Sequence, residues 1–140
     1  MNGVTVTRSA DGAPEAILSA ERIKSGRWDE NDYWFEAVDA LLFEEGKLQA
    51  HVVSGEGYYD VSQEIVTLVE DVSVAVQNEY ELSTQALRYL MPYKIMKTGA
   101  DIIFKSQDIT VQGTGMRYNF ATGDYRVGGR VTFDLITEKR

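Results

Sequence analysis

The stretch Lys47-Leu48-Gln49-Ala50-His51-Val52-Val53-Ser54-Gly55-Glu56-Gly57-Tyr58-Tyr59 decides how the rest of the chain is read. Leu48, Ala50, Val52 and Ser54 fall on one face of an alternating pattern, the period-two signature of a half-buried strand. The Gly-x-Gly inside it returns later, where Val53-Ser54-Gly55-Glu56-Gly57-Tyr58-Tyr59 aligns with Val111-Gln112-Gly113-Thr114-Gly115-Met116-Arg117 at an offset of 58. After each copy come an aspartate-containing turn region and another apolar strand, Ile65 to Val69 and Tyr125 to Phe133. A unit of this kind cannot bury its apolar face alone, so copies must stack. The repeat predicts a short stack of hairpins with the same face inward throughout.

The same alternation runs outward from there. Gly3 to Thr7, Asp71 to Gln77 and Asp108 to Gly113 share it, and Tyr125, Val127, Val131, Phe133 and Leu135 fall on one parity. Turn chemistry separates the runs: Asp11-Gly12, Asp29-Glu30-Asn31-Asp32, Glu45-Gly46, Gln77-Asn78, Thr98-Gly99 and Thr122-Gly123-Asp124. The gaps are too short for the crossovers a parallel sheet needs. The fold class is therefore all-β, with an antiparallel sandwich, jelly roll or open barrel as its forms. Two segments have local helix character, Pro14 to Lys24 and Ser83 to Met91. Both are read as strands, because Leu18-Ser19-Ala20-Glu21-Arg22-Ile23 echoes Leu82-Ser83-Thr84-Gln85-Ala86-Leu87.

At 140 residues the chain fits one domain with a real core. No cysteine and one histidine remove disulfide frameworks and thiolate sites and leave little for histidine-based metal or triad chemistry. The net charge of −8 has the wrong sign for nucleic acid. The acidity is uneven: residues 1–70 carry 14 acids against 5 bases, residues 71–140 carry 8 against 9. A solvated acidic face accounts for most of this, with two ends facing different neighbours as the alternative. The start shows no basic and apolar leader, and no window reaches 18 apolar residues, which leaves a cytosolic chain or one without its leader or anchor.

Chemistry-bearing clusters are few. Strands rather than helices follow Gly55-Glu56-Gly57, Gly113-Thr114-Gly115 and Gly128-Gly129, so these glycines mark bulges or close approaches rather than a phosphate cradle. The carboxylates Asp29, Glu30, Asp32, Glu44 and Glu45 sit in turns, where solvated acid is usual; a glycosidase pair needs two carboxyls facing across a cleft. His51 lies on the parity opposite Leu48, Ala50 and Val52, facing solvent. The apolar residues say more. Phe43, Val52, Leu68, Val74, Leu82, Phe104, Val111 and Phe133 belong to a set larger than a flat two-layer core requires. They fit either a filled sandwich or an incompletely closed one whose interior admits an acyl chain.

In order and spacing, the motifs Gly3-Val4-Thr5-Val6-Thr7, Leu18-Ser19-Ala20-Glu21, Leu41 to Leu48 and Val53 to Asp60 resemble the lipopolysaccharide-export proteins of the LptC and OstA/LptA superfamily. Leu82 to Tyr89 and Ile109 to Met116 resemble its strand signatures, and the likeness runs from about Gly3 to Phe133. The Gly46-Lys47-Leu48 turn is more LptC-like than LptA-like. The resemblance implies a twisted β jelly roll, open along one side, carrying lipopolysaccharide acyl chains. It also implies a place in a periplasmic bridge, tethered to the inner membrane by an N-terminal helix that this sequence lacks. The expectation is one LptC-like domain over residues 1–140, non-enzymatic, without metal or cofactor. Phe43, Val52, Leu68, Val74, Leu82, Phe104, Val111 and Phe133 then line the lipid groove. Tyr125, Val127, Val131 and Leu135 form the edge that receives an LptA-like bridge protein, and the Val4 to Thr7 end faces an inner-membrane ABC transporter complex. The alternatives are a soluble LptA/OstA-type bridge protein and a purely structural β module without lipid.

Overall fold

The computed structural model describes residues 3–10, 12–25, 32–76 and 79–135. Eleven strands form one antiparallel sheet: β1 (Val4–Ala10), β2 (Ala13–Ala20), β3 (Arg22–Ser25), β4 (Asp32–Glu44), β5 (Lys47–Asp60), β6 (Ile65–Val76), β7 (Tyr80–Leu90), β8 (Ile95–Lys105), β9 (Ile109–Asn119), β10 (Tyr125–Val127) and β11 (Thr132–Leu135). Strands neighbour one another in chain order, with β3 also on β4 and β11 also on β9. The single helical turn described is a 3-10 turn at Met91–Tyr93. Among the described residues no helix is long and apolar enough to cross a membrane. Both helix-like segments are strands. Ile17 pairs with Thr7 on one side and Leu41 on the other, so two ladders outweigh the local propensity of residues 13–20.

The long strands are too long for one flat sheet, and each is broken once near its middle. Register shifts fall between Val53 and Glu56 in β5, Val69 and Val72 in β6, Thr84 and Arg88 in β7, and Thr98 and Asp101 in β8. In β4 the break is at Ala37, with φ +56, and in β9 at Gly115, with φ +91. Lined up, the bulges make a crease that folds the sheet onto itself, the known effect of bulges on strand direction. One panel contains β1, β2, β11 and the halves of β4–β9 that include Leu42, Val52, Val74, Leu82, Phe104 and Val111. The other contains β3, β10 and the halves that include Phe35, Leu68, Leu87, Met96 and Met116. The two inner faces share one apolar cluster. Their far ends, carrying the hairpins, form the open side of the roll.

The repeat at offset 58 is this crease met twice, in β5 and β9. Two buried hydroxyls satisfy backbone carbonyls that the bulges free: Ser54 donates to the Glu56 carbonyl at 2.9 Å and Thr84 to the Asp101 carbonyl at 2.8 Å. Thr98-Gly99, expected as a turn, is part of the crease inside β8, because β8 continues on both sides of it. Glu45 and Gly46 both have positive φ, +51 and +77, as a two-residue hairpin requires. The Thr122-Gly123-Asp124 turn is also present, closed by Gly123 N–H donating to the Asn119 carbonyl. Asp11, residues 29–31 of the predicted acidic turn, and Gln77-Asn78 lie outside the described residues.

Candidate functional site

The interior is not uniform along the roll. Toward the N-terminal strands the panels part around a cavity of about 290 Å³, lined among others by Leu18, Leu42, Val52, Leu68, Tyr89 and Met96. That is near the lower end of small-molecule sites and about ten times the volume share of one water. The lining has no Asp, Glu, Lys, Arg or His. Such a space takes an apolar chain, and its side-chain polar groups are the hydroxyls of Thr7, Tyr59 and Tyr89.

Toward the C-terminal strands the same interior is filled. Phe104 stacks on Tyr80 with centroids 5.1 Å apart and meets Tyr125 at 4.9 Å. Tyr125 lies against Tyr118 at 6.4 Å, Tyr118 against Phe120 at 4.9 Å, and Phe120 edge-on to Tyr89 at 5.8 Å. This aromatic chain joins the two panels and ends beside the cavity. Burial, then the charges of Tyr80, Glu79 and Tyr125, push the Tyr118 phenol above its ordinary pKa.

The eight residues expected to line the groove divide accordingly. Val52 and Leu68 line the cavity. Val74, Leu82, Phe104 and Val111 share the inner face but are packed solid, with Val74 at 0% exposure. Phe43 is half-buried beside the bulge that Gln49 makes in β5. Phe133 pairs with Val111 and so shares the inner face, yet it is 58% exposed because no strand continues the panel beyond it. Sequence reasoning missed the Ala16, Tyr59, Val66, Leu87 and Met91 part of the lining. Strand parity puts Ala16, Tyr59, Val66 and Leu87 on inner faces but does not say where facing panels part, and Met91 lies in the 3-10 turn.

The C-terminal edge is two short strands rather than one. Gly128 to Val131 separates β10 from β11, with Gly129 at φ +69. Tyr125 and Val127 pair with Tyr118 and Met116 and fold inward, and Tyr125 belongs to the aromatic chain. Val131 and Leu135, the latter 64% exposed, stand with Phe133 as an uncovered apolar group at the edge. Strand β1 forms the opposite edge.

Among the described residues the predicted carboxylates Asp32, Glu44 and Glu45 do not assemble into a pair. Asp32 is buried and accepts the Tyr58 hydroxyl, Glu44 pairs with Lys94, and Glu45 is exposed in the hairpin turn. Asp29 and Glu30 lie outside the described residues. His51 faces outward as expected, held by the Asp39 carboxylate at 2.8 Å. Among the described residues no group of three or more His, Cys, Asp or Glu has the geometry of a metal site.

An antiparallel sheet creased into two panels, with an apolar interior and two uncovered edges, defines an open β jelly roll. The sequence pattern of the LptC-related lipopolysaccharide-assembly family matches residues 1–133, and the chain belongs to that family. Its role accordingly lies in lipopolysaccharide transport. The crystal structure of LptH from Pseudomonas aeruginosa, the LptA-homologous periplasmic component of the conserved lipopolysaccharide transport device, is similar in fold. It gives a TM-score of 0.69 at 10% identity and covers 89% of this chain and 95% of that one. No curated protein sequence matches the chain.

Proposed function

We propose that this chain is a non-enzymatic carrier domain of lipopolysaccharide transport, holding lipid A acyl chains in the cavity between its panels. The observation that carries this reading is the uncharged lining, Leu18 and Met96 included, open between the two panels of the sheet. Each methylene buried there contributes roughly 0.8 kcal/mol, so a tail is retained without any polar contact. The cavity lining has no cation to hold lipid A phosphates, which leaves the headgroups outside.

On this reading residues 1–140 act as one periplasmic domain held at the inner membrane. Edge pairing supplies the partners. The uncovered Val131, Phe133 and Leu135, with Tyr125 and Val127 at their base, suit an LptA-like bridge protein. The β1 edge suits the inner-membrane ABC transporter complex.

The test is photo-crosslinking to lipopolysaccharide from Leu68 and Val52, with Val74 and His51 as packed and outward controls. Capture from Leu68 and Val52 alone is expected. The packed aromatic half favours a second reading, a rigid spacer without cargo; equal or absent capture at all four positions establishes that reading instead.

A further inference from the structure

The second half of the chain has nearly as many acids as bases, yet its register sorts the bases into one line. Arg88 of β7 pairs with Lys97 of β8, Lys97 with Arg117 of β9, and Arg117 with Arg126 of β10. All four side chains are exposed on the outer face of the panel, opposite the cavity. Like charges placed directly across a ladder destabilise it. Here three successive pairs do so, in a chain whose net charge is −8.

No ion pair among the described residues offsets them, although Asp124 stands near Arg117 and Arg126. The salt bridges among the described residues engage Arg22, Lys24, His51 and Lys94, not these four. Two positions along the strands stand Ala86, Leu90, Ile95, Gly99, Gly115 and Asn119, none acidic; Asp124, two before Arg126, is the nearest acid by register. With strands about 4.8 Å apart, the row spans about 14 Å. Sheet twist fans it by about 60–75°, within the reach of long flexible side chains. Arg117 and Arg126 also flank an open polar recess with Asn119 and Asp124.

We propose that this row docks the domain onto an anionic lipid bilayer, its cations against headgroup phosphates and the cavity facing away. A peptide strand added at the sheet edge meets Arg126 and leaves Arg88 three strands away, whereas a plane of phosphates meets all four. The connection between the two strands bearing Arg88 and Lys97 holds Tyr93, 68% exposed, an aromatic ring beside a basic face as headgroup zones favour. The acidic residues lie mostly in β2 to β6, toward the other end of the sheet. Most are more than a Debye length of about 8–10 Å from the middle of the row, so their repulsion is screened.

The test is flotation of the full chain with phosphatidylcholine vesicles, with and without phosphatidylglycerol. The wild type is expected to float with anionic vesicles only and to be released by high salt. Each of R88Q, K97Q, R117Q and R126Q lowers partitioning about fivefold, and the quadruple variant abolishes it. K47Q/K105Q, on the other panel, leaves it unchanged. Thermal unfolding guards against a folding artefact, since removing mutual repulsion leaves the quadruple variant at least as stable as the wild type. Equal flotation on neutral vesicles, no flotation, or an unchanged quadruple variant overturns the proposal. So does binding to polyglutamate that vesicles do not compete, which reassigns the row to an acidic protein. The vesicles contain no lipopolysaccharide, so the outcome is independent of cargo binding in the cavity.

Discussion

Glu44 and Lys94, fifty residues apart in sequence, join the two panels across the open side of the roll, with Lys94 Nζ 2.5 Å from Glu44 Oε2. Glu44 ends β4 at the far margin of one panel, and Lys94 precedes β8 at the far margin of the other. Leu42 and Met91, near neighbours of the pair in sequence, line the cavity. The ion pair is therefore a strap at the mouth of the apolar space. Both groups are about one-third exposed, so solvent keeps its contribution to stability under about 1 kcal/mol.

Removing the strap is expected to change access more than stability. Glu44→Gln keeps the shape, and Lys94→Asn keeps a residue tolerant of the left-handed backbone at φ +55. Either variant admits an apolar fluorophore faster in stopped-flow mixing, with a melting temperature within a few degrees of the wild type. An unchanged entry rate in both places the mouth elsewhere.

Empty and filled regions of the interior respond oppositely to added volume. Val52→Phe projects into the cavity, so unfolding free energy stays within about 1 kcal/mol while lipid capture falls. Val74→Phe meets packed neighbours on every side and is destabilised by about 1–3 kcal/mol or more. Chemical denaturation of the pair decides the point, and equal losses in both erase the distinction between the two halves.

Much of this architecture was legible along the chain and some of it was not, for identifiable reasons. Alternation around Val52 and Val74 gave inner and outer faces, and Glu45-Gly46 gave a hairpin, because strand parity and two-residue turns are local properties. The crease was half visible. Gly-x-Gly flagged it in β5 and β9, but in β4 and β6 it rests on Ala37, Glu70 and Asp71, non-glycine residues at positive φ with no composition signal. The cavity was legible as an apolar surplus but not as a place, since Leu42 and Met96 meet across it only after folding. The Arg88–Arg126 row needs four strands in register before it exists at all.

Alkaline pH tests the aromatic chain. The Tyr118 phenol is raised chiefly by burial, so its neutral form belongs to the folded state. Stability from this source is intact below the unfolded value of about 10 and is lost as pH rises through the folded value. Tyr118→Phe removes the ionisable group, so its unfolding free energy falls less steeply between about pH 9.5 and 11. Superimposable curves for wild type and variant contradict the assignment.

Gly113 tests how the crease makes the C-terminal edge. An added Cβ stands 2.5 Å from Val127 Cγ1 and 3.0 Å from the Gly128 carbonyl oxygen, so the glycine lets the edge strand fold over β9. Gly113→Ala is expected to lower stability by about 1–3 kcal/mol through overpacking. Its larger effect falls on the edge, because shifting Val127 and Gly128 breaks the hydrogen bonds that tie Gly128 to Thr114 and Gly115. Hydrogen exchange then shows lost protection at Thr114 and Gly128 while Val52 and Val74 keep theirs. Adding Val127→Ala removes the nearer clash and leaves the carbonyl contact, so the double variant recovers part of the loss. A uniform loss of protection, or no recovery in the double variant, shows that Gly113 supports the whole sheet rather than the fold-over of its last strands.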